Sequence, residues 1–239
     1  MAALGYSSSA RKICITRISA ARVDVIRQRK ARRTPQLQGA GTTIHVVTRI
    51  GVFCGSSVGN RPAYRKAAVD LARALARRNL GLVYGGARIG LMGVLADAML
   101  QQGREVIGVI PQALLELEIA HAGLTDLRVV GSMHERKALM VELADGFIAL
   151  PGGYGTLDEF CEALTWAQLG LHRKPCGVLD VDSYFDPLLA LFDDAVSSGF
   201  LRPENRALVL KAADPETLLD LFASYEPVSV PKWITSAEA

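Results

Sequence analysis

Long apolar runs are missing. None of the 239 residues lies in a stretch approaching the roughly 20 apolar positions a spanning helix needs, because Arg, Lys, Asp or Glu interrupts each candidate. A helical membrane protein is thereby excluded, and a soluble, cytoplasmic protein without a membrane partner is expected. Patterned cysteine is missing too. Cys14, Cys54, Cys161 and Cys176 form no CxxC pair and no framework spacing, which argues for free thiols rather than a disulfide scaffold. His45, His121, His134 and His172 give no i, i+4 pair and no HExxH, so no metal site is expected. The glycine-rich segments lack the lysine of a triphosphate-binding loop and the GxGxxG spacing of a dinucleotide fold.

What is present is a chain that can fold, with 50% hydrophobic residues. Its net charge of +3 is unevenly spread. Residues 1–45 hold nine basic residues, among them Arg11, Lys12, Arg29, Lys30, Arg32 and Arg33, against the single acid Asp24. The rest carries 18 basic and 23 acidic residues, so the folded part is negative and no nucleic-acid partner is expected for it. Residues 1–45 are read as a poorly ordered extension. Their Arg-rich, Ser-containing, acid-poor composition also matches a targeting segment. Residues 227–239 read as a tail, and 46–226, with no linker and no repeat, as one domain.

Within that stretch short apolar runs alternate with amphipathic ones. Strands are predicted at Thr48–Phe53, Leu80–Tyr84, Glu105–Ile110, Leu127–Val130, Gly146–Leu150, Lys174–Asp180 and Leu208–Lys211. Helices are predicted at Pro62–Arg78, Leu91–Gln102, Met133–Leu143, Thr156–Leu169, Asp186–Ser197 and Pro215–Tyr225. Strands with few charges, alternating with helices, imply an α/β fold: a doubly wound, mostly parallel, Rossmann-like sheet with helices on both faces. The glycine-rich turns Gly55–Gly59, Gly85–Gly93 and Gly152–Gly155 then gather at the carboxyl edge, where such sheets bind ligands.

Two segments carry chemistry. Leu150–Glu159 (LPGGYGTLDE) joins a buried strand to a helix. Its glycines admit a ligand close to the backbone, and the helix start favours an anion. Without a lysine, a monophosphate suits it better than a triphosphate. Glu159 has two readings: Thr156-x-x-Glu159 is a capping box, and Glu159 is also one turn from a sugar whose phosphate the loop would hold. Ser132–Lys137 (SMHERK) opens the preceding helix. Ser132-x-x-Glu135 is again a capping box, but Arg136 and Lys137 oppose the helix dipole and could reach the same ligand.

SMHERK and PGGYGTLDE together resemble the paired signature of the LOG (Lonely Guy) family of cytokinin riboside 5'-monophosphate phosphoribohydrolases. The resemblance extends through Gly51–Ser57, Tyr84–Gly86, Gly90–Gly93, Val106–Pro111 and Thr165–Gly170. It implies hydrolysis of the N-glycosidic bond of an adenine-type nucleoside 5'-monophosphate, with Arg136 and Glu159 catalytic. The matching substrate contacts are Glu118, Arg136, Lys137, Gly152, Gly153, Tyr154, Gly155, Thr156, Leu157, Asp158 and Thr165. It further implies no cofactor and a homodimer or larger assembly. Ala87 stands where many members have a third glycine. A lysine decarboxylase would need pyridoxal phosphate on a Schiff-base lysine, for which no arrangement is evident. A general AMP nucleosidase, or a nucleotide-binding regulator without turnover, would use the same loop.

Overall fold

The computed structural model describes residues 47–115 and 120–227. The expectations for residues 1–45, for Glu118 and for the tail beyond Pro227 lie outside these. Seven strands form one sheet: β1 (Arg49–Phe53), β2 (Gly81–Tyr84), β3 (Val106–Pro111), β4 (Asp126–Val130), β5 (Gly146–Ala149), β6 (Cys176–Leu179) and β7 (Val209–Ala212). All pairs are parallel, in the order β4-β3-β2-β1-β5-β6-β7. The chain winds outward from β1 to β4, then returns across β1 to build the other half from β5. Between β1 and β5 lies the switch point, where loops leave in opposite directions and open a crevice.

The main helices are α1 (Pro62–Arg77), α2 (Gly90–Gln101), α4 (Met133–Leu143), α5 (Tyr154–Gln168), α6 (Asp186–Ser197) and α8 (Pro215–Ala223). Strand residues alternate between two cores. Ile50, Val52 and Ile148 face Leu71, Leu95 and Phe222 of α1, α2 and α8. Phe53, Phe147 and Ala149 face Met140, Phe160 and Leu189 of α4, α5 and α6. The doubly wound α/β fold is what this arrangement is. Gly51 is a packing requirement: a Cβ there would lie 2.8 Å from the Phe147 ring, which stacks on Phe53 at 5.8 Å.

Local chemistry sets the helix ends. Pro62 starts α1 with its φ already suited to a helix, and Gly103 (φ 65) follows α2 in the left-handed conformation. Ser132 caps α4 by accepting from Glu135 N–H at 3.1 Å, and Glu135 accepts from Gly131 N–H at 2.8 Å. The Ser132 half of the expected capping box is formed, while Glu135 reaches back one residue further, to Gly131 rather than to the Ser132 amide.

The structure corrects the sequence reading in two respects. α5 begins at Tyr154 with Gly153 as its cap, two residues before the predicted start, so Thr156 lies inside the helix. Glycine at the cap hid the boundary, because it offers no capping side chain to recognise. Three short elements were also not predicted: α3 (Gln112–Leu115), α7 (Pro203–Arg206) and a 3-10 turn at Val181–Ser183. A single turn is too short for apolar periodicity to show.

Candidate active site

Three glycine loops meet at the carboxyl ends of β1, β2 and β5. Gly55 N–H donates to Pro151 C=O (3.1 Å), and Leu91 N–H donates to Gly55 C=O (3.0 Å), so the first loop is tied to both others. Close approach requires glycine at Gly90 (φ 61), where a Cβ would lie 2.2 Å from the backbone of Ser56. At Gly152 a Cβ would lie 2.1 Å from Thr156 Oγ1. Gly153 and Gly155 differ, because a Cβ at either would meet open space. Packing does not demand glycine there; glycine keeps that space clear. The first intrahelical bond of α5 runs from Leu157 N–H to Gly153 C=O (3.1 Å), leaving the amides of Tyr154, Gly155 and Thr156 for other acceptors. Amides at a helix start beside open space form an anion site.

Beneath this loop lies a buried ion pair. Arg136, on the first turn of α4, is only 7% exposed. Its Nε–H donates to Val109 C=O (3.0 Å) and its Nη2–H to Gly85 C=O (3.5 Å), while Nη1 meets Glu159 Oε1 at 3.1 Å. Gly85 makes room for the guanidinium, since a Cβ there would lie 2.2 Å from Nη2. Glu159 is therefore not the partner of a Thr156 cap; its carboxylate is turned across to α4. Burying such a pair costs desolvation that is offset only by good geometry, and here the carbonyls of Val109 and Gly85 take two further donors of Arg136. Cys54, at the end of β1, borders the pair. Burial pushes its thiol up, Glu159 pushes the same way, and Arg136 opposes them. Cys54 is thus a neutral neighbour.

The next residues along both helices pair separately. Lys137 Nζ meets Asp158 Oδ2 at 3.2 Å and Glu162 Oε2 at 3.0 Å. Burial pulls this ammonium down, but the two carboxylates outweigh it, and its pKa is raised. The two cations that opposed the α4 dipole are both accounted for by carboxylates of α5.

The structure thus brings together Arg136, Glu159, Gly152, Gly153, Gly155 and Thr156. Lys137 and Asp158 flank them, and Tyr154 projects outward, 94% exposed. Leu157 turns toward the second core. Thr165 is elsewhere. It lies about 9 Å further along α5 and around the helix, where its hydroxyl donates to Cys161 C=O (2.8 Å). There it lines a separate groove with Leu164, Phe192 and Phe200. Ala87 is fully buried and bridges to Ala120. Sequence reasoning passed over Gly85 as a socket for Arg136 and missed Tyr184, whose hydroxyl donates to Gly152 C=O at 2.5 Å. The Gly85-Gly86 pair was a signal for the first; nothing local marks the second.

A doubly wound α/β sheet with a glycine-rich loop over a buried ion pair at its switch point has its candidate site where folds of this class hold their ligands. The profile of a family described as "Possible lysine decarboxylase" matches residues 92–222. The chain is 51% identical over 179 residues to the "Probable cytokinin riboside 5'-monophosphate phosphoribohydrolase LOGL3" of Oryza sativa subsp. japonica, covering 75% of this chain and 85% of that one. To the cytokinin riboside 5'-monophosphate phosphoribohydrolase LOG7 of Arabidopsis thaliana it is 49% identical, covering 75% and 82%. The chain belongs to this LOG family of phosphoribohydrolases. Among solved structures, a molybdenum cofactor binding protein from Rippkaea orientalis is similar in fold, with a TM-score of 0.57 at 25% identity, covering 75% of this chain and 98% of that one. Among the described residues no helix is long and apolar enough to cross a membrane.

Proposed function

We propose that the chain hydrolyses the N-glycosidic bond of cytokinin riboside 5'-monophosphates, releasing the free base and ribose 5-phosphate. The observation that carries this reading is the buried Arg136–Glu159 pair, 3.1 Å apart, beneath a loop with unserved helix-start amides. The relatives' names support the substrate class. The loop from Gly152 to Asp158 takes the 5'-phosphate, and the ribose then lies over Glu159. Glycosidic cleavage develops positive charge on the sugar, which a carboxylate can stabilise while it activates water. Arg136, fixed by Val109 and Gly85, holds that carboxylate in place at 3.1 Å.

Lys137 and Asp158 stand at the open flank, where the ammonium can exchange one carboxylate for substrate. Thr165 faces away from the pair of its own chain, so its contact is assigned to a second copy in a homodimer. Glu118 is assigned to the base side by resemblance. No cofactor is invoked. The lysine decarboxylase label is not favoured by the four described lysines, each of which is engaged. Lys66 and Lys211 pair with carboxylates, Lys137 with two, and Lys174 Nζ donates to Val141 and Ala144 C=O.

A carrier without turnover has one observation in its favour, the fold shared with a molybdenum cofactor binding protein. It would not need the Arg136–Glu159 pair under the loop. Incubating the purified chain with AMP and with N6-prenylated AMP, and assaying free base, separates the readings. Base release, faster from the prenylated nucleotide, is expected. Release from AMP as fast as from the prenylated nucleotide would make it a general AMP nucleosidase, and binding without release would make it a carrier.

A further inference from the structure

One hydroxyl reaches the glycine loop from a distant part of the chain. Tyr184 follows the turn Val181–Ser183, in which Asp182 (φ 52) and Ser183 (φ 59) both occupy the left-handed region that side chains rarely adopt. The turn is anchored from below: Asp180 accepts from Phe185 N–H (2.8 Å) and pairs with Lys211 (2.9 Å). The Tyr184 ring meets Phe185 edge-on at 5.1 Å and Tyr64 edge-on at 5.8 Å, so it is held from two sides. Its hydroxyl donates to Gly152 C=O at 2.5 Å.

The preceding carbonyl, that of Pro151, already accepts from Gly55 N–H (3.1 Å). Two successive carbonyls of the loop are thus held by donors from two other elements. A planar trans peptide points its N–H opposite to its C=O, so fixing these carbonyls aims the amides of Gly152 and Gly153 to the other side. The peptide between two glycines is the one most free to rotate, because neither neighbour has a Cβ to oppose it. A lock is needed there more than anywhere else in the loop.

We propose that Tyr184 is a positioning residue for substrate phosphate: by holding the Gly152 carbonyl it keeps the Gly153 amide aimed at the anion. This rests on the reading of the loop as a phosphate site. The test is Tyr184→Phe in the full chain, which keeps the ring and removes the hydroxyl. Affinity for ribose 5-phosphate is measured by calorimetry. KM and kcat are measured on a nucleoside 5'-monophosphate and on the same nucleoside without phosphate.

Losing one oriented hydrogen bond should weaken ribose 5-phosphate and raise the monophosphate KM by about five- to tenfold. kcat and the constants for the unphosphorylated nucleoside should stay within about twofold. Unchanged ribose 5-phosphate affinity, or equal weakening of both substrates, would overturn the proposal. A wild-type chain that binds ribose 5-phosphate but releases no base would sink the hydrolase reading, while the affinity comparison still decides the role of Tyr184. A wild-type chain that binds no ribose 5-phosphate would overturn both.

Discussion

Two ion-paired groups join α4 to α5, built on the neighbouring cations Arg136 and Lys137, and they sit in different surroundings. Arg136–Glu159 is buried on both sides, with the guanidinium also bound to strand carbonyls. Lys137–Asp158–Glu162 lies at the flank, and its Asp158 side chain is 63% exposed. One step along a helix turns a side chain by about 100°, which is enough to move it from crevice to surface. The inner pair faces the glycine loop and is dry enough for its charges to act strongly. The outer group is open to solvent only at Asp158, with Lys137 and Glu162 half-covered, and mainly joins the helices. Adjacency in sequence therefore does not imply a shared role.

The largest stability difference is expected on breaking the inner pair from its cationic side. Arg136→Ala strands a buried carboxylate and should cost about 3–5 kcal/mol in urea unfolding. A loss below about 1 kcal/mol would mean the pair is not desolvated as described.

A different region gives the next effect and shows that pH sensitivity need not arise at the pair. His172, buried against Phe147, has its pKa lowered to about 4 by burial, with the Ala163 carbonyl opposing and Lys174 adding to the fall. Nε2–H donates to Ala163 C=O (2.9 Å) and Nδ1 accepts from Lys174 N–H (3.2 Å), so the neutral ring is satisfied on both sides. Below its ordinary value of 6.5 the unfolded chain takes up a proton that the folded chain refuses. Stability should be intact above that pH and fall by about 3 kcal/mol as pH drops to about 4. His172→Gln should flatten this slope in unfolding curves taken between those limits. An unchanged slope would remove His172 as its source.

The smallest effect belongs to the outer pair. Lys137→Ala should change stability by no more than about 1 kcal/mol, because its partners are partly solvated. Its KM should rise only a fewfold. A loss as large as that of Arg136→Ala would erase the distinction between the pairs.

The seven strands and six main helices were legible, because buried strands and amphipathic helices leave different periods. The strand order, and hence the crevice between β1 and β5, was not legible, because right-handed crossovers make such a sheet doubly wound without fixing which strands are neighbours. At the site, loop chemistry and the cations opposing a helix dipole singled out SMHERK, PGGYGTLDE, Arg136, Lys137 and Glu159, and only the resemblance made Arg136 and Glu159 a catalytic pair. Spacing alone left Glu159 as readily a cap as a catalyst. The structure separates these readings, since Gly153 is the cap and Glu159 crosses to Arg136. Which of Arg136 and Lys137 turns inward depends on helix phase against β2 and β3, and the residue that admits the guanidinium, Gly85, is 51 positions away. Tyr184 was illegible for the same reason: its partner Gly152 is 32 residues distant and the contact is a single hydroxyl.

The most direct test of the central claim is Glu159→Gln, which keeps the shape and removes the charge. Nucleotide affinity is measured by calorimetry, and free-base release in a single turnover. Affinity within about threefold of wild type, with release slowed by about a thousandfold, is the expected result for a carboxylate acting in the reaction. Release at the wild-type rate would contradict the account, and so would weakened binding at an unchanged rate.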